Sequence, residues 1–141
     1  MTTSMLVRDV MKSPSPAVKQ GTDLGEVVET LLKFGVFGLP VINDQRELVG
    51  FVSEQDCIHS VLVSSYHCEG APLVDDVMSR EVLAVEADSS IIDLAQQMGK
   101  LKPKSYPVTE DGKLIGLITR SAILASLWAN RASCDLPNDK L

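Results

Sequence analysis

"VRDVM", residues 7 to 11, returns as "VDDVM" at residues 74 to 78, an offset of 67. The same offset carries Ala17-Val18 onto Ala84-Val85, Pro40-Val41 onto Pro107-Val108 and Asp44 onto Asp111. One residue is lost in the next turn, after which Leu48-Val49-Gly50 falls on Leu114-Ile115-Gly116 at an offset of 66. Register held across most of each half marks a duplicated unit.

Each unit reads alike. A short extended lead-in ("SPAV", "VLAV") precedes an amphipathic helix, with Leu24, Val27, Val28, Leu31 and Leu32 at helical spacing in the first copy and Ile91, Leu94, Ala95, Met98 and Leu101 in the second. Thr22 or Asp23, and Ser89 or Ser90, have the side chains to cap these helices, and Gly35 suits a stop. Two β-branched runs follow, "LPVIN" with "ELVGFVS" and "YPVTE" with "KLIGLIT", and Asp111-Gly112 is a favoured hairpin pair. A closing helix is expected to bury Ile58, Val61 and Leu62, or Ile123, Leu124, Leu127 and Trp128. The order is strand, helix, strand, strand, helix.

A unit of about 55 residues rarely buries enough surface to stand alone. The expected fold is therefore α/β (α+β), with two β-α-β-β-α repeats packed sheet to sheet in pseudo-twofold symmetry. The 141 residues suit one such module: a first repeat at 5–63, a linker at 64–73, a second repeat at 74–128 and a polar tail at 129–141.

Composition narrows the function. A formal charge of −6 argues against general nucleic-acid binding, which relies on basic side chains. No apolar run is long enough for a membrane span and the first residues do not read as a signal peptide, so a cytoplasmic protein is expected. Cys57, Cys68 and Cys134, odd in number and irregular in spacing, suit reduced thiols. Cys57, His59, His67 and Cys68 match no standard zinc spacing, and no metal site is expected. No nucleophile and base pair, and no Walker-type loop, emerges; an enzyme is not expected.

"GFVSEQD" at 50–56 and "GLITRSA" at 116–122 share a glycine, an apolar pair and a hydroxyl, then diverge at Asp56 and Ala122. A hydroxyl at a strand-to-helix junction adjoins free N–H groups and the positive end of the helix dipole, where an anion is favoured. A carboxylate one turn in can accept from both hydroxyls of a ribose. Ser53 and Asp56 equally resemble a capping box that requires no ligand. Five of the thirteen basic residues, Lys100, Lys102, Lys104, Lys113 and Arg120, gather within twenty-one positions. They read either as a phosphate-binding edge, above all at Lys104 and Arg120, or as solvated charges complementing a helix end.

Two units with the "DVM" lead-in, the Pro-Val strand and Gly-apolar-apolar-Ser/Thr-x-x-Asp resemble a tandem pair of CBS domains, named after cystathionine β-synthase, over residues 5 to 128. The resemblance implies a stand-alone regulatory module (a Bateman module) for AMP, ADP, ATP or S-adenosylmethionine, with no catalytic cofactor. It also implies a homodimer that signals to a separate effector protein. Ser53 would meet phosphate and Asp56 the ribose, with adenine against Val82, Leu83 and the stretch Lys104, Ser105 and Tyr106. The pseudo-equivalent cleft would use Ser15, Pro16, Phe37 and Gly38 with Thr119, and Arg120 beside it. Because Ala122 departs from the pattern, that cleft is expected to be weaker, empty, or suited to a ligand without a ribose diol. A structural dimerisation module is the alternative, with one site departing from the family pattern at Ala122 and the other occluded by Phe37, Phe51 or Tyr106.

Overall fold

The computed structural model describes residues 5–67, 72–99 and 104–131. The first repeat runs α1 (Val7–Val10), β1 (Val18–Lys19), α2 (Leu24–Phe34), β2 (Gly38–Ile42), β3 (Leu48–Ser53) and α3 (Glu54–His67). The second runs α4 (Val74–Val77), β4 (Val85–Glu86), α5 (Ile91–Met98), β5 (Ser105–Glu110), β6 (Lys113–Thr119) and α6 (Arg120–Ala129). The "DVM" lead-ins are thus one-turn helices, ahead of the expected strand, helix, strand, strand, helix order.

The local chemistry explains these limits. In α2, Leu24, Val27 and Leu31 form the buried stripe, Asp23 accepts from the Glu26 N–H at 2.9 Å, and Gly35 ends the helix at φ 62°. In α5, Ser90 accepts from the N–H groups of Ile92 and Asp93. Each sheet has three strands, the first parallel to the second and the second antiparallel to the third. Asp111 and Gly112, both at positive φ, make the tight second hairpin. The two hairpins meet directly, with Leu48 N–H donating to Gly112 O at 3.1 Å and Leu114 N–H to Arg46 O at 2.9 Å.

The cores are completed by exchange. Val7, with Met5, Val10 and Met11, packs in the core of the second repeat, while Val74, Val77 and Met78 pack in that of the first. Paired backbone bonds hold the exchange: Val7 N–H to Ser89 O and Ile91 N–H to Met5 O on one side, Val74 N–H to Thr22 O and Leu24 N–H to Pro72 O on the other. Arg8 adds an ion-pair link from α1 to Asp88 and Glu110, each at 2.7 Å.

This exchange accounts for the shared glycine of "GFVSEQD" and "GLITRSA". A Cβ on Gly50 would lie 2.5 Å from Met78 Sδ and 2.9 Å from Ser79 O; one on Gly116 would lie 2.5 Å from Met11 Sδ and 2.8 Å from Lys12 O. The crossing chain also pairs with the third strand, at Phe51 with Ser79 and at Leu117 with Lys12. Only glycine lets the backbones approach this closely.

One packing expectation is corrected. Among the described side chains of α3 and α6, the fully buried apolar positions are the equivalent pair Cys57 and Ile123. Ile58 is 60% exposed, Leu62 65%, Leu124 68% and Trp128 65%, with Val61 and Leu127 also exposed. A short helix resting on a three-stranded sheet covers that sheet with a narrow stripe, and the adjoining apolar positions face outward.

Candidate functional site

At the end of β3 the chain turns into α3 through a reciprocal pair of bonds. The Ser53 N–H donates to Asp56 Oδ2 at 3.0 Å, and the Asp56 N–H donates to Ser53 Oγ at 3.1 Å. This is the capping box that the sequence permits, with aspartate in the usual place of Glu or Gln. Asp56 Oδ1 makes no hydrogen bond among the described residues, so one oxygen of the carboxylate is left to act on something else. The Glu54 N–H donates to Phe37 O at 2.9 Å, tying the helix start to the residue before β2.

A hollow of about 360 Å³ borders Asp56, lined by Gln55, Asp56, His59, Ser60 and Val63 of α3 and by Asp76 and Val77 of α4. The exchanged lead-in helix therefore supplies its far wall. Asp76 and His59 are polar contributors that the motif alone does not point to. The repeat offset does contain a signal for Asp76, because it is the acid of the second "DVM".

The start of α6 is built on the same plan with different side chains. The Ala122 N–H donates to Thr119 Oγ1 at 3.0 Å, and the Arg120 N–H donates to Lys104 O at 3.0 Å. Alanine at 122 has no group to return the bond. Lys104 Nζ sits 4.2 Å from the centre of the Phe37 ring, a cation–π contact. Phe37 and Lys104 are equivalent under the repeat, so two equivalent positions touching each other straddle the pseudo-twofold axis. This contact links the two residues whose carbonyls hold the helix starts, Phe37 for α3 and Lys104 for α6.

The remaining expected residues fall into two groups. Ser105 is half-buried at the start of β5, and Phe37 and Lys104 are exposed. Val82 is half-buried and Leu83 exposed, but neither they nor Lys104, Ser105 and Tyr106 line the hollow beside Asp56. Tyr106 is 1% exposed, with its side chain packed in the second core beside Val108 and Ile118. Alternation explains this, since Tyr106 and Val108 share the core side of β5. The Tyr106 hydroxyl has no hydrogen-bond partner among the described residues, and burial pushes its pKa up, an effect that the charge of Arg120 opposes.

In the second expected cleft, Ser15 is buried and donates to Pro16 O at 2.8 Å, so its hydroxyl is already spent. Pro16 is half-buried and Gly38 is buried under the Phe51 ring, where a Cβ would collide with that ring. Cys57 lies in the first core and burial raises its pKa, away from the reactive thiolate. Among the described residues no group of three or more His, Cys, Asp or Glu side chains is placed to hold a metal. No described helix is long and apolar enough to cross a membrane. Lys100, Lys102, Cys68 and Cys134 lie outside the described residues.

The family model for the CBS domain matches residues 7–63 and again 74–129. The chain belongs to the CBS-domain family, as a tandem pair. Among solved structures, CBSX2 in complex with AMP is 32% identical, with a TM-score of 0.76 over 89% of this chain and 98% of that one. CBSX2 from Arabidopsis thaliana is 31% identical with a TM-score of 0.77, over 92% and 99% of the two chains. The CBS domain pair of a protein crystallised with 5′-methylthioadenosine and S-adenosyl-L-methionine shares the fold at 20% identity and a TM-score of 0.76, over 92% of this chain and 100% of that one. An uncharacterised protein of Methanocaldococcus jannaschii is 31% identical over 154 residues, 87% of this chain and 91% of its own length. Another from that organism is 30% identical over 87% of this chain, which spans only 44% of it. The chain likewise spans 14% of the A-adding tRNA nucleotidyltransferase of Aquifex aeolicus, at 28% identity over 86% of this chain.

Proposed function

We propose that this chain is a ligand-sensing module that binds an adenine nucleotide or related adenosyl ligand beside Ser53 and Asp56 and reports occupancy to a separate protein. The observation that carries the reading is the Asp56 oxygen left without a hydrogen bond among the described residues at a helix start, in a family member 32% identical to CBSX2, which was solved with AMP. One oxygen holds the cap and the other accepts from the ribose, so the cap orients the carboxylate for its second task. Thr119, with its cap but without the acid, serves a weaker cleft. Lys104 and Arg120 hold the phosphate edge, while Val82, Leu83, Ser105 and the surroundings of Ser15, Pro16, Phe37 and Gly38 form the outer walls of the two clefts.

The module works in the cytoplasm as a homodimer and catalyses nothing itself. Support for the dimer is the exposed apolar row on both closing helices, Ile58, Val61 and Leu62 in α3 and their equivalents Leu124, Leu127 and Trp128 in α6. Rows of that kind mark association surfaces. Ligand binding moves the equilibrium between arrangements of the dimer only through unequal contact with each. The self-sufficient capping box favours one competing reading, a dimerisation module with no ligand.

The test is a panel of AMP, ADP, ATP, S-adenosylmethionine and NAD, run by thermal shift on the wild type and Asp56→Ala, with sedimentation velocity on the same samples. At about 100 times Kd, a bound compound stabilises the wild type by about 2.7 kcal/mol and leaves Asp56→Ala unshifted. If Asp56→Ala is merely less stable and no compound shifts the wild type, the unliganded module is correct. A monomer throughout rejects the dimer, and consumption of an added nucleotide rejects the non-enzymatic assignment.

A further inference from the structure

We infer that two copies of this chain pair antiparallel, the face formed by α2 and α3 of one packing on the face formed by α5 and α6 of the other. This rests on the homodimer proposed above and adds its direction. Duplication leaves the direction open: the two faces are equivalent, so a closed twofold dimer that uses both can set each face against its own copy or against its counterpart.

The faces differ in shape and in charge. On the first, an apolar groove of about 360 Å³ runs between α2 and α3. Leu31 and Cys57 are its buried members, Leu32, Ile58 and Leu62 its exposed ones, and Glu54 its charged one. On the second, the positions equivalent to Leu32, Leu62 and Glu54 hold Gly99, Trp128 and Arg120. Bulk has moved from the first helix of the pair to the second, and the sign of the charge has reversed. The wider charge follows the same division. The α2 and α3 helices carry Glu26, Glu29, Glu54 and Asp56 against Lys33, whereas α5 and α6 carry Asp93 against Arg120. Just beyond α6, Arg131 stacks on the exposed Trp128 ring at 3.8 Å and adds a second cation.

Pairing like with like sets groove against groove and an acidic face against an acidic face, while the other contact holds two Trp128 rings and two Arg120 charges. Pairing counterparts instead gives the groove a protruding indole and gives Glu54 the partner's Arg120, and the twofold repeats both matches. An aromatic side chain seated in an apolar pocket is the usual energetic centre of an interface. Like charges brought together there select against the wrong pairing. Shape and charge therefore favour the same direction.

Isotope-filtered nuclear magnetic resonance on an equimolar mixture of labelled and unlabelled full-length chain tests the direction, since it reports only contacts between copies and Trp128 is the single tryptophan. The indole protons show contacts with methyl groups of the partner's Ile58 and Leu62. Sedimentation equilibrium at low salt gives a second readout: Glu54→Arg and Arg120→Glu each weaken the dimer about tenfold, by setting like charges together at both symmetric contacts. Mixing the two variants restores the wild-type affinity, which shows that both are folded. Indole contacts with the partner's Leu124 and Leu127, a dimer in which the indole touches no partner methyl, or single variants that dimerise as well as wild type, overturn the antiparallel pairing while leaving a dimer in place. A monomer at every concentration overturns the homodimer itself.

Discussion

At the start of α3, Ser53 and Asp56 each answer the other's backbone N–H. At the start of α6, Thr119 answers Ala122, whose side chain has no group to answer in return. Both helices form and both rest on the same kind of sheet. The second copy is thus an internal control for the first: a helix in this position forms with the hydroxyl cap and without the acid. Asp56 is surplus to the folding requirement that its counterpart meets, and surplus polarity at a helix start is where a ligand role is to be sought.

The largest expected effect probes what the two halves share. Gly50→Ala and Gly116→Ala each push a methyl group against a methionine and a backbone carbonyl of the crossing chain, at a cost of about 2 kcal/mol. Urea denaturation should show near-equal losses; a large loss in one half alone would break the equivalence of the two crossings. Smaller effects probe what the halves do not share. Asp56→Ala removes the return bond to Ser53 and should cost about 1 kcal/mol. Ala122→Asp places a carboxylate in the first turn of α6 and should gain roughly 0.5 kcal/mol. Opposite signs in the same denaturation series sharpen the comparison, whereas a neutral Asp56→Ala contradicts the capping role.

The smallest effect concerns Tyr106, whose counterpart is Leu39. Tyr106→Phe breaks no hydrogen bond among the described residues and should change stability at neutral pH by no more than about 0.5 kcal/mol. Burial holds the folded phenol above its ordinary 10.0, so the unfolded chain releases this proton first. The stability associated with the protonated phenol is present below about pH 10 and is lost as pH rises through the folded value. Cys57, raised from 9.0 for the same reason, starts an earlier loss that the variant keeps. Identical alkaline unfolding curves for Tyr106→Phe and wild type would show that the phenol is not enclosed.

Much of this was legible in residues. The duplication, the strand pairs, Gly35 as a stop and Asp111-Gly112 as a turn all follow from local patterns whose physics is local. Asp23 rather than Thr22, and Ser90 rather than Ser89, needed the backbone to decide. What pattern could not supply was the partner of each surface. Ile58 and Leu124 have the spacing of buried residues, yet spacing cannot say whether the covering partner lies within the same chain. Val7 and Val74 are apolar in either arrangement, so nothing in their identity reveals that each serves the other repeat. Tyr106 was expected at a cleft from the family resemblance, and strand alternation with Val108 turns its side chain inward.

The exchanged lead-in helices bear on ancestry. A chain with one repeat would expose Val7 and Met11, leave the groove over its glycine unfilled, and lack the backbone partners now found at Ser89 and Ile91. Two such chains could meet every one of those needs by trading their first turns. The pair in this protein has the arrangement of two chains that swapped ends and were then joined, so that cutting between the repeats would not yield two smaller proteins but two halves of one.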